Sequence, residues 1–296
     1  MKVGVFGGSG FVGSHVADEL TDRGHEVKIY DLRPSQYLRE GQEMIIGDIL
    51  DRDKVFKAVE VCDAVYNFAG IADLDTATTQ PIDTIDQNIL GNALILDASV
   101  KAGLKRFIYA STIYVYSSLG GFYRCSKQAA ELYIEEYQKR HGLDFTILRY
   151  GTLYGPRADE RNSVYRYLKQ ALLNRKLTCY GTGEELREYI HVRDAAKLSV
   201  DILSEEFKNK HVVITGHHPI KFREMLNTVK EMLDGKVKIE FKPPEERARY
   251  SAHYDMTPYS FIPKIGQKLV SNYYTDIGQG LLECLHEISK ETNKNE

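Results

Sequence analysis

KVGVFGGSGFVGSHVADELTDRGHEVKIYD, residues 2–31, is the stretch that decides the fold. It opens on KVGVF, a short run rich in β-formers, and breaks at Gly7. Gly10 and Gly13 follow at the spacing G-x-x-G-x-x-G. From Phe11 to Gly24 the apolar residues recur at helical spacing, and EVKIYD is a second β-rich run. Glycines between a strand and a helix let the chain turn sharply and let backbone N–H groups approach an anion. The helix N-terminus adds partial positive charge. Asp31 closes the second strand eighteen residues beyond Gly13, where a carboxylate can accept hydrogen bonds from ribose hydroxyls. Glycines alone would serve any tight turn; with Asp31 the stretch predicts a dinucleotide site. A carboxylate there repels a 2′-phosphate, so NAD is expected over NADP. Arg33 is the nearby group that would soften that choice.

Working outward, the alternation continues. EMIIGD, DAVYNFAG, RFIYAST and DFTILRYG read as further strands. Helical segments lie between them at DRDKVFKAVE, IDQNILGNALILDASVKAG and YRCSKQAAELYIEEYQKRHG. Short apolar runs joined by helices imply parallel strands with crossovers, hence an α/β, Rossmann-like doubly wound sheet. In such sheets ligands collect at the carboxyl ends of the strands.

Composition excludes several classes. Of 296 residues, 43% are apolar and 27% charged, an ordinary globular balance, and the net charge of −3 gives no reason to expect a nucleic-acid partner. Cys62, Cys125, Cys179 and Cys284 lie far apart without a CxxC spacing. That fits reduced thiols and a cytoplasmic setting better than disulfides or a metal site. Neither a secretory leader nor a membrane span is expected, because no apolar run is long enough.

Chemistry concentrates in ASTIYVYSSLGGFYRCSK, residues 110–127. Tyr123 and Lys127 are four residues apart and share a helix face, so the lysine charge is expected to lower the phenol pKa. The pattern Tyr-x-x-x-Lys occurs twice, however, the second time at Tyr165 and Lys169, so position must decide. Tyr123 follows the strand bearing Ser111 and Thr112 and precedes LRYG, whereas Tyr165 lies beyond GPR.

In that order and spacing the chain resembles the extended short-chain dehydrogenase/reductases of the NAD-dependent nucleotide-sugar epimerase/dehydratase family. The resemblance rests on GGSGFVGSH, YD at Asp31, GDI at Asp48, NFAG at Gly70, NILGNALILDA at Asn88, YAST, YRCSK, LRYGTLYGPR and YGTGEELREYIHVRDAA. It implies an NAD-binding domain over residues 1–152 plus about 194–216. A smaller C-terminal nucleotide-sugar lobe would take about 153–193 plus 217–296. It implies NAD contacts from Gly7, Gly10, Phe11, Val12, Asp31, Asp48, Ile49, Ala69, Gly70, Asn88, Tyr123 and Lys127. Tyr123 would be the proton-transfer group, Lys127 would also bind the nicotinamide ribose, and Thr112 would hydrogen-bond the reacting oxygen, with Ser111 as the fallback. Thr152, Thr178, Tyr180 and Arg187 would meet the nucleotide sugar, UDP first among the nucleotides. One of Arg247 and Arg249 would meet its diphosphate. A homodimer through the helices near 86–102 and 123–140 is implied as well.

Three departures from the family pattern shape the expected activity. Only eleven steps separate Thr112 from Tyr123, a shorter loop than the family keeps. Eleven extended residues still reach about 36 Å, and Gly120 and Gly121 permit a sharp reversal. Members that dehydrate the sugar carry an Asp-Glu pair where this chain has Ile113 and Tyr114, and neither can supply the acid that expels a 6-hydroxyl. A 4-epimerase is therefore expected. A 4-ketosugar reductase, another nucleotide-sugar epimerase and a non-catalytic NAD-binding sensor are the alternatives. Thr152 and Glu188 stand where epimerases often carry Asn and Asp, which leaves the sugar open.

Overall fold

The computed structural model describes residues 1–243, 255–259 and 266–293, in two compact units. The first comprises residues 1–150, 196–214 and 258–269; the second comprises 151–195, 215–257 and 270–296.

In chain order the first unit begins β1 (Lys2–Phe6), α1 (Phe11–Asp22), β2 (Glu26–Asp31), β3 (Gln42–Ile46), α2 (Arg52–Val59) and β4 (Ala64–Asn67). It continues with α3 (Leu74–Thr79), α4 (Pro81–Ile85), a π-turn at Asp86–Leu90 and α5 (Gly91–Lys101). Then come β5 (Arg106–Thr112), a 3₁₀ turn at Ile113–Tyr116, α6 (Gly121–His141) and β6 (Phe145–Tyr150). The second unit holds β7 (Thr152–Tyr154), α7 (Ser163–Asn174), β8 (Lys176–Tyr180), β9 (Leu186–Arg187) and β10 (Tyr189–His191). Helix α8 (Val192–Asp201) leads back to β11 (Lys210–Ile214) of the first unit. β12 (Ile220–Lys221), α9 (Phe222–Met232) and β13 (Lys238–Lys242) follow in the second. β14 (Gln267–Leu269) is in the first, and α10 (Ile277–Asn293) is in the second.

Eight strands form one sheet in the order β14-β11-β6-β5-β4-β1-β2-β3, and every pairing is parallel. The doubly wound sheet expected from the sequence is present. β4 and β6 are buried at every residue, the mark of strands covered on both faces. The strand order reverses between β1 and β4, so the crevice that binds ligands in such sheets opens at the carboxyl ends of those two strands. β14 was not anticipated: the sequence reading assigned all of 217–296 to the second lobe, yet Gln267–Leu269 pairs with Val212–Ile214 at the sheet edge.

Local chemistry sets the helix ends. The Asp51 carboxylate accepts from Lys54 N at the start of α2, and Asp73 does the same for Thr76 N at α3. Helix α6 stops at Gly142, whose φ of +70° suits a left-handed cap, behind the basic run Lys139, Arg140 and His141. In the second unit three two-stranded ladders, β7 with β10, β8 with β13 and β9 with β12, surround a core packed by α7, α9 and α10.

Candidate active site

The turn after β1 is built for close approach. Gly7 has φ +78°, and a Cβ there would lie 2.6 Å from Ala69 N in the loop after β4. A Cβ on Gly13 would lie 2.3 Å from the Gly7 carbonyl oxygen, so the first turn of α1 can sit on the loop only without a side chain. Gly10 caps α1 with no side-chain bond to the helix, leaving the N–H groups at Phe11 and Val12 directed out of the helix end. Ser9 N donates to Asp31 Oδ2 at 3.0 Å and Arg33 N to Oδ1 at 3.3 Å, which pins the glycine loop to the end of β2. Arg33 is exposed, and its carbonyl accepts from the Ser9 hydroxyl.

Farther along the strand ends the predicted residues divide by role. Asp48 Oδ1 accepts from Leu50 N at 2.9 Å, while the Ile49 side chain packs in the core. Ala69 N donates to Asn67 Oδ1. Asn88, on the π-turn, spends its amide inside the protein. Nδ2 donates to the Ile71 carbonyl and to Ser126 Oγ, both at 2.9 Å, and Oδ1 accepts from Ile71 N at 2.7 Å. It therefore clamps the Gly70–Ile71 loop to α6.

Thr112 and Tyr123 meet. The Thr112 hydroxyl is near enough to favour the ionised form of the Tyr123 phenol, and Thr112 Oγ1 accepts from Tyr114 N at 3.3 Å, capping the 3₁₀ turn. Lys127 Nζ donates to the Ala110 carbonyl at 2.8 Å and lies 4.7 Å from the Tyr109 ring centroid and 5.8 Å from that of Tyr123. The shortened loop closes because Gly120 and Gly121 take φ of +98° and +50°. Arg124 Nη1 and Gln128 Nε2 then fasten it by donating to the carbonyls of Ser117 and Val115.

One electrostatic expectation is corrected here. The lysine does not lower the phenol: burial pushes Tyr123 up to about 12, opposed only by the Thr112 hydroxyl. Burial also pushes Lys127 down to about 8, and the nearby Glu131 carboxylate works against that fall. Ser111 departs from its fallback role as well. Its hydroxyl donates to Glu131 Oε1 at 2.5 Å, away from the Tyr123 phenol.

In the second unit Thr152 lies on β7 opposite Tyr189, and Thr178 and Tyr180 lie on β8 opposite Glu240 and Lys242. Arg187, on β9, donates from Nη1 to the carbonyls of Leu186 and Asp255 at 3.0 and 3.3 Å. Arg247 and Arg249 lie outside the described residues. The second Tyr-x-x-x-Lys pair is a surface cluster: Tyr165 donates to Glu291 at 3.2 Å and Lys169 pairs with Glu160 at 2.5 Å. Tyr165 also stands at about 12, raised by burial and then by neighbouring acids. Position, not pKa, separates the two tyrosines.

Residues 3–215 match the NAD dependent epimerase/dehydratase family. The chain belongs to this family. It is 30% identical over 269 residues to a UDP-N-acetyl-alpha-D-glucosaminuronate decarboxylase of Bacillus cytotoxicus, an alignment covering 82% of this chain and 83% of the relative. It is 27% identical to a putative UDP-glucose 4-epimerase of Methanocaldococcus jannaschii, covering 85% and 89%. Its fold is that of the UDP-glucuronic acid 4-epimerase of Bacillus cereus, solved with UDP-glucuronic acid and NAD: TM-score 0.85, 22% identity, 98% of this chain and all of that one. As a member of the epimerase/dehydratase family the protein is an enzyme of the extended short-chain dehydrogenase/reductase type, and its cofactor is NAD.

The residues fit that cofactor. The Gly7–Gly13 loop has the space a Cβ would fill, a helix N-terminus without a side-chain cap, and the Asp31 carboxylate at the next strand end. Among the described residues no group of three or more metal-ligating side chains occurs, and no helix is long and apolar enough to cross a membrane. Sequence reasoning missed Glu131 and Arg149. The available signals were a carboxylate four residues after Lys127 and an arginine inside a fully buried strand, which demands a partner.

Proposed function

We propose that this enzyme is a nucleotide-sugar 4-epimerase. On this reading it oxidises C4 of a UDP-hexose or related sugar transiently and returns the hydride to the opposite face. The observation that carries the reading is Thr112 acting on the Tyr123 phenol, with Lys127 Nζ 5.8 Å from the Tyr123 ring centroid and no acid at Ile113 or Tyr114. When bound, NAD supplies the hydride acceptor and donor. Tyr123 moves the proton at the C4 oxygen, and Thr112 holds that oxygen by a shared hydrogen bond. At neutral pH the buried phenol keeps its proton, so it takes one from the sugar only when nearby positive charge offsets its burial. That charge would come from the oxidised nicotinamide ring when the cofactor is bound.

The rest of the proposal follows the family pattern. Arg187 binds the diphosphate with its planar fork, Thr178 and Tyr180 flank the base, and Thr152 borders the sugar. The enzyme is a homodimer through the helices near 86–102 and 123–140, a reading supported by the exposed apolar residues Leu90, Leu132 and Tyr133. It works in the cytoplasm, consistent with four free cysteines.

The test is a panel of UDP-hexoses and UDP-hexuronates incubated without added cofactor and resolved by chromatography. Interconversion of C4 epimers with no net change in NADH is expected. Stoichiometric consumption of added NADH would replace the reading with a 4-ketoreductase, and neither outcome would leave a sensor. The Bacillus cytotoxicus relative favours a second reading. A 4-keto group lies β to the carboxylate of a hexuronate. Oxidation at C4 therefore permits the C5–C6 bond to break, with loss of CO₂ and protonation at C5. Release of CO₂ from UDP-hexuronates in the same panel would select it.

A further inference from the structure

Behind Tyr123 and Lys127 lies a second, deeper set of groups. Glu131 follows Lys127 by four residues and Tyr123 by eight, so the three share one face of α6. The Glu131 carboxylate accepts from Ser111 Oγ at 2.5 Å, from Arg149 Nε at 3.0 Å and from Arg149 Nη2 at 2.6 Å. Arg149 is 0% exposed and Glu131 2%. Arg149 Nη1 donates to the Tyr116 hydroxyl at 2.5 Å, and the same hydroxyl accepts from Gly266 N at 2.6 Å. One bidentate pair thus joins β5, α6, β6, the shortened loop and the residue before β14.

A buried ion pair adds little stability, because desolvation offsets the attraction; what it fixes is geometry. We propose that the Glu131–Arg149 pair is the positioning device of this site. It supports the Lys127 ammonium from one turn away, holds the Ser111 hydroxyl on the strand face opposite Thr112, and fastens the short loop through Tyr116. The proposal rests on the reading of Tyr123 and Lys127 as the reacting pair.

The surroundings of Lys127 single out this anion. From β5 it meets the Tyr109 ring and the Ala110 carbonyl, and from its own helix Tyr123 and Glu131. Arg149 reaches it from β6 only through Glu131, with its remaining arm on Tyr116. The neighbouring helices carry Asp75, Asp83 and Asp86, yet among the described residues Glu131 is the one charged group that acts on the ammonium.

The test uses the full chain with ¹⁵N-labelled lysine, the Lys127 ammonium being assigned by its loss in Lys127→Arg and titrated by NMR. Glu131→Gln alone would strand a buried guanidinium, so the variant is Glu131→Gln/Arg149→Met, which removes both charges. Its Lys127 midpoint is expected to fall by about one pH unit. Where that variant does not fold, Glu131→Asp keeps the pair and draws the charge back by one methylene, and the midpoint must fall in it too. An unchanged midpoint in whichever variant is folded overturns the proposal. The readout does not depend on substrate. Failure of the reading of Tyr123 and Lys127 as the reacting pair would appear instead as an active Tyr123→Phe enzyme, with the lysine titration unaffected.

Discussion

Asn88→Ala separates a structural clamp from a cofactor contact. The side chain is 2% exposed and makes three hydrogen bonds, two to the backbone of Ile71 and one to Ser126 on α6. Each such bond contributes about 1 kcal/mol net, so their loss costs about 3 kcal/mol. Leaving the Ile71 amide and carbonyl without partners adds to that wherever water cannot reach them. For a chain of this size the expected fall in Tm is about 5 °C. The geometry adds a second consequence. Ser126 is next to Lys127 and donates to the Tyr123 carbonyl at 2.8 Å, so freeing it loosens the helix turn that carries both reacting residues. NAD affinity should change by less than about threefold, because the amide has no donor left to offer the cofactor. Scanning calorimetry of the free protein and calorimetric NAD titration measure the two effects. An unchanged Tm together with NAD binding weakened tenfold or more would refute the reasoning and place the Asn88 amide on the cofactor.

Three further outcomes are expected. Tyr123→Phe should abolish nucleotide-sugar turnover while NAD stays bound, and Tyr165→Phe should be near parental; activity assays with bound-cofactor content check both, and the reverse pattern would refute the site. The Lys127 ammonium ionises near 8 in the folded protein, against about 10.4 in an unfolded chain, so the unfolded state binds more protons between those values and stability rises with pH there. Relative to Lys127→Met, the parent should therefore gain up to about 1.4 kcal/mol per pH unit above pH 8, read from urea unfolding at pH 7.5, 8.5 and 9.5; no gain would mean that the ammonium is hydrated. Arg187→Ala should weaken nucleotide-sugar binding by about 1.5–3 kcal/mol, as expected for a lost charge-assisted bond, and calorimetry showing unchanged affinity would confine that guanidinium to contacts within the protein, such as the Leu186 and Asp255 carbonyls.

What the sequence made legible, and what it hid, follows from the range of each signal. The glycine turn, its helix and Asp31 are fixed by local conformational needs, so residues 2–31 could be read directly. β14 could not: three residues, Gln267–Leu269, carry no periodicity, and their place is set by pairing with Val212–Ile214 more than fifty positions away. The Ser111/Thr112 choice was open to a local argument. Neighbours in a strand point to opposite faces, so only one of the two hydroxyls can meet Tyr123. The structure gives that place to Thr112 and sends Ser111 toward Glu131 and toward Arg149, its cross-strand partner in β6. The phenol's pKa lay beyond such reasoning. Helix spacing states that Tyr123 and Lys127 are near each other, which argues for a lowered phenol. It says nothing of depth, and with Lys127 5% and Tyr123 9% exposed, depth penalises the charged form of both. Proximity without burial would have given a tuned tyrosine; proximity with burial gives a site whose charge must be completed by what binds in it.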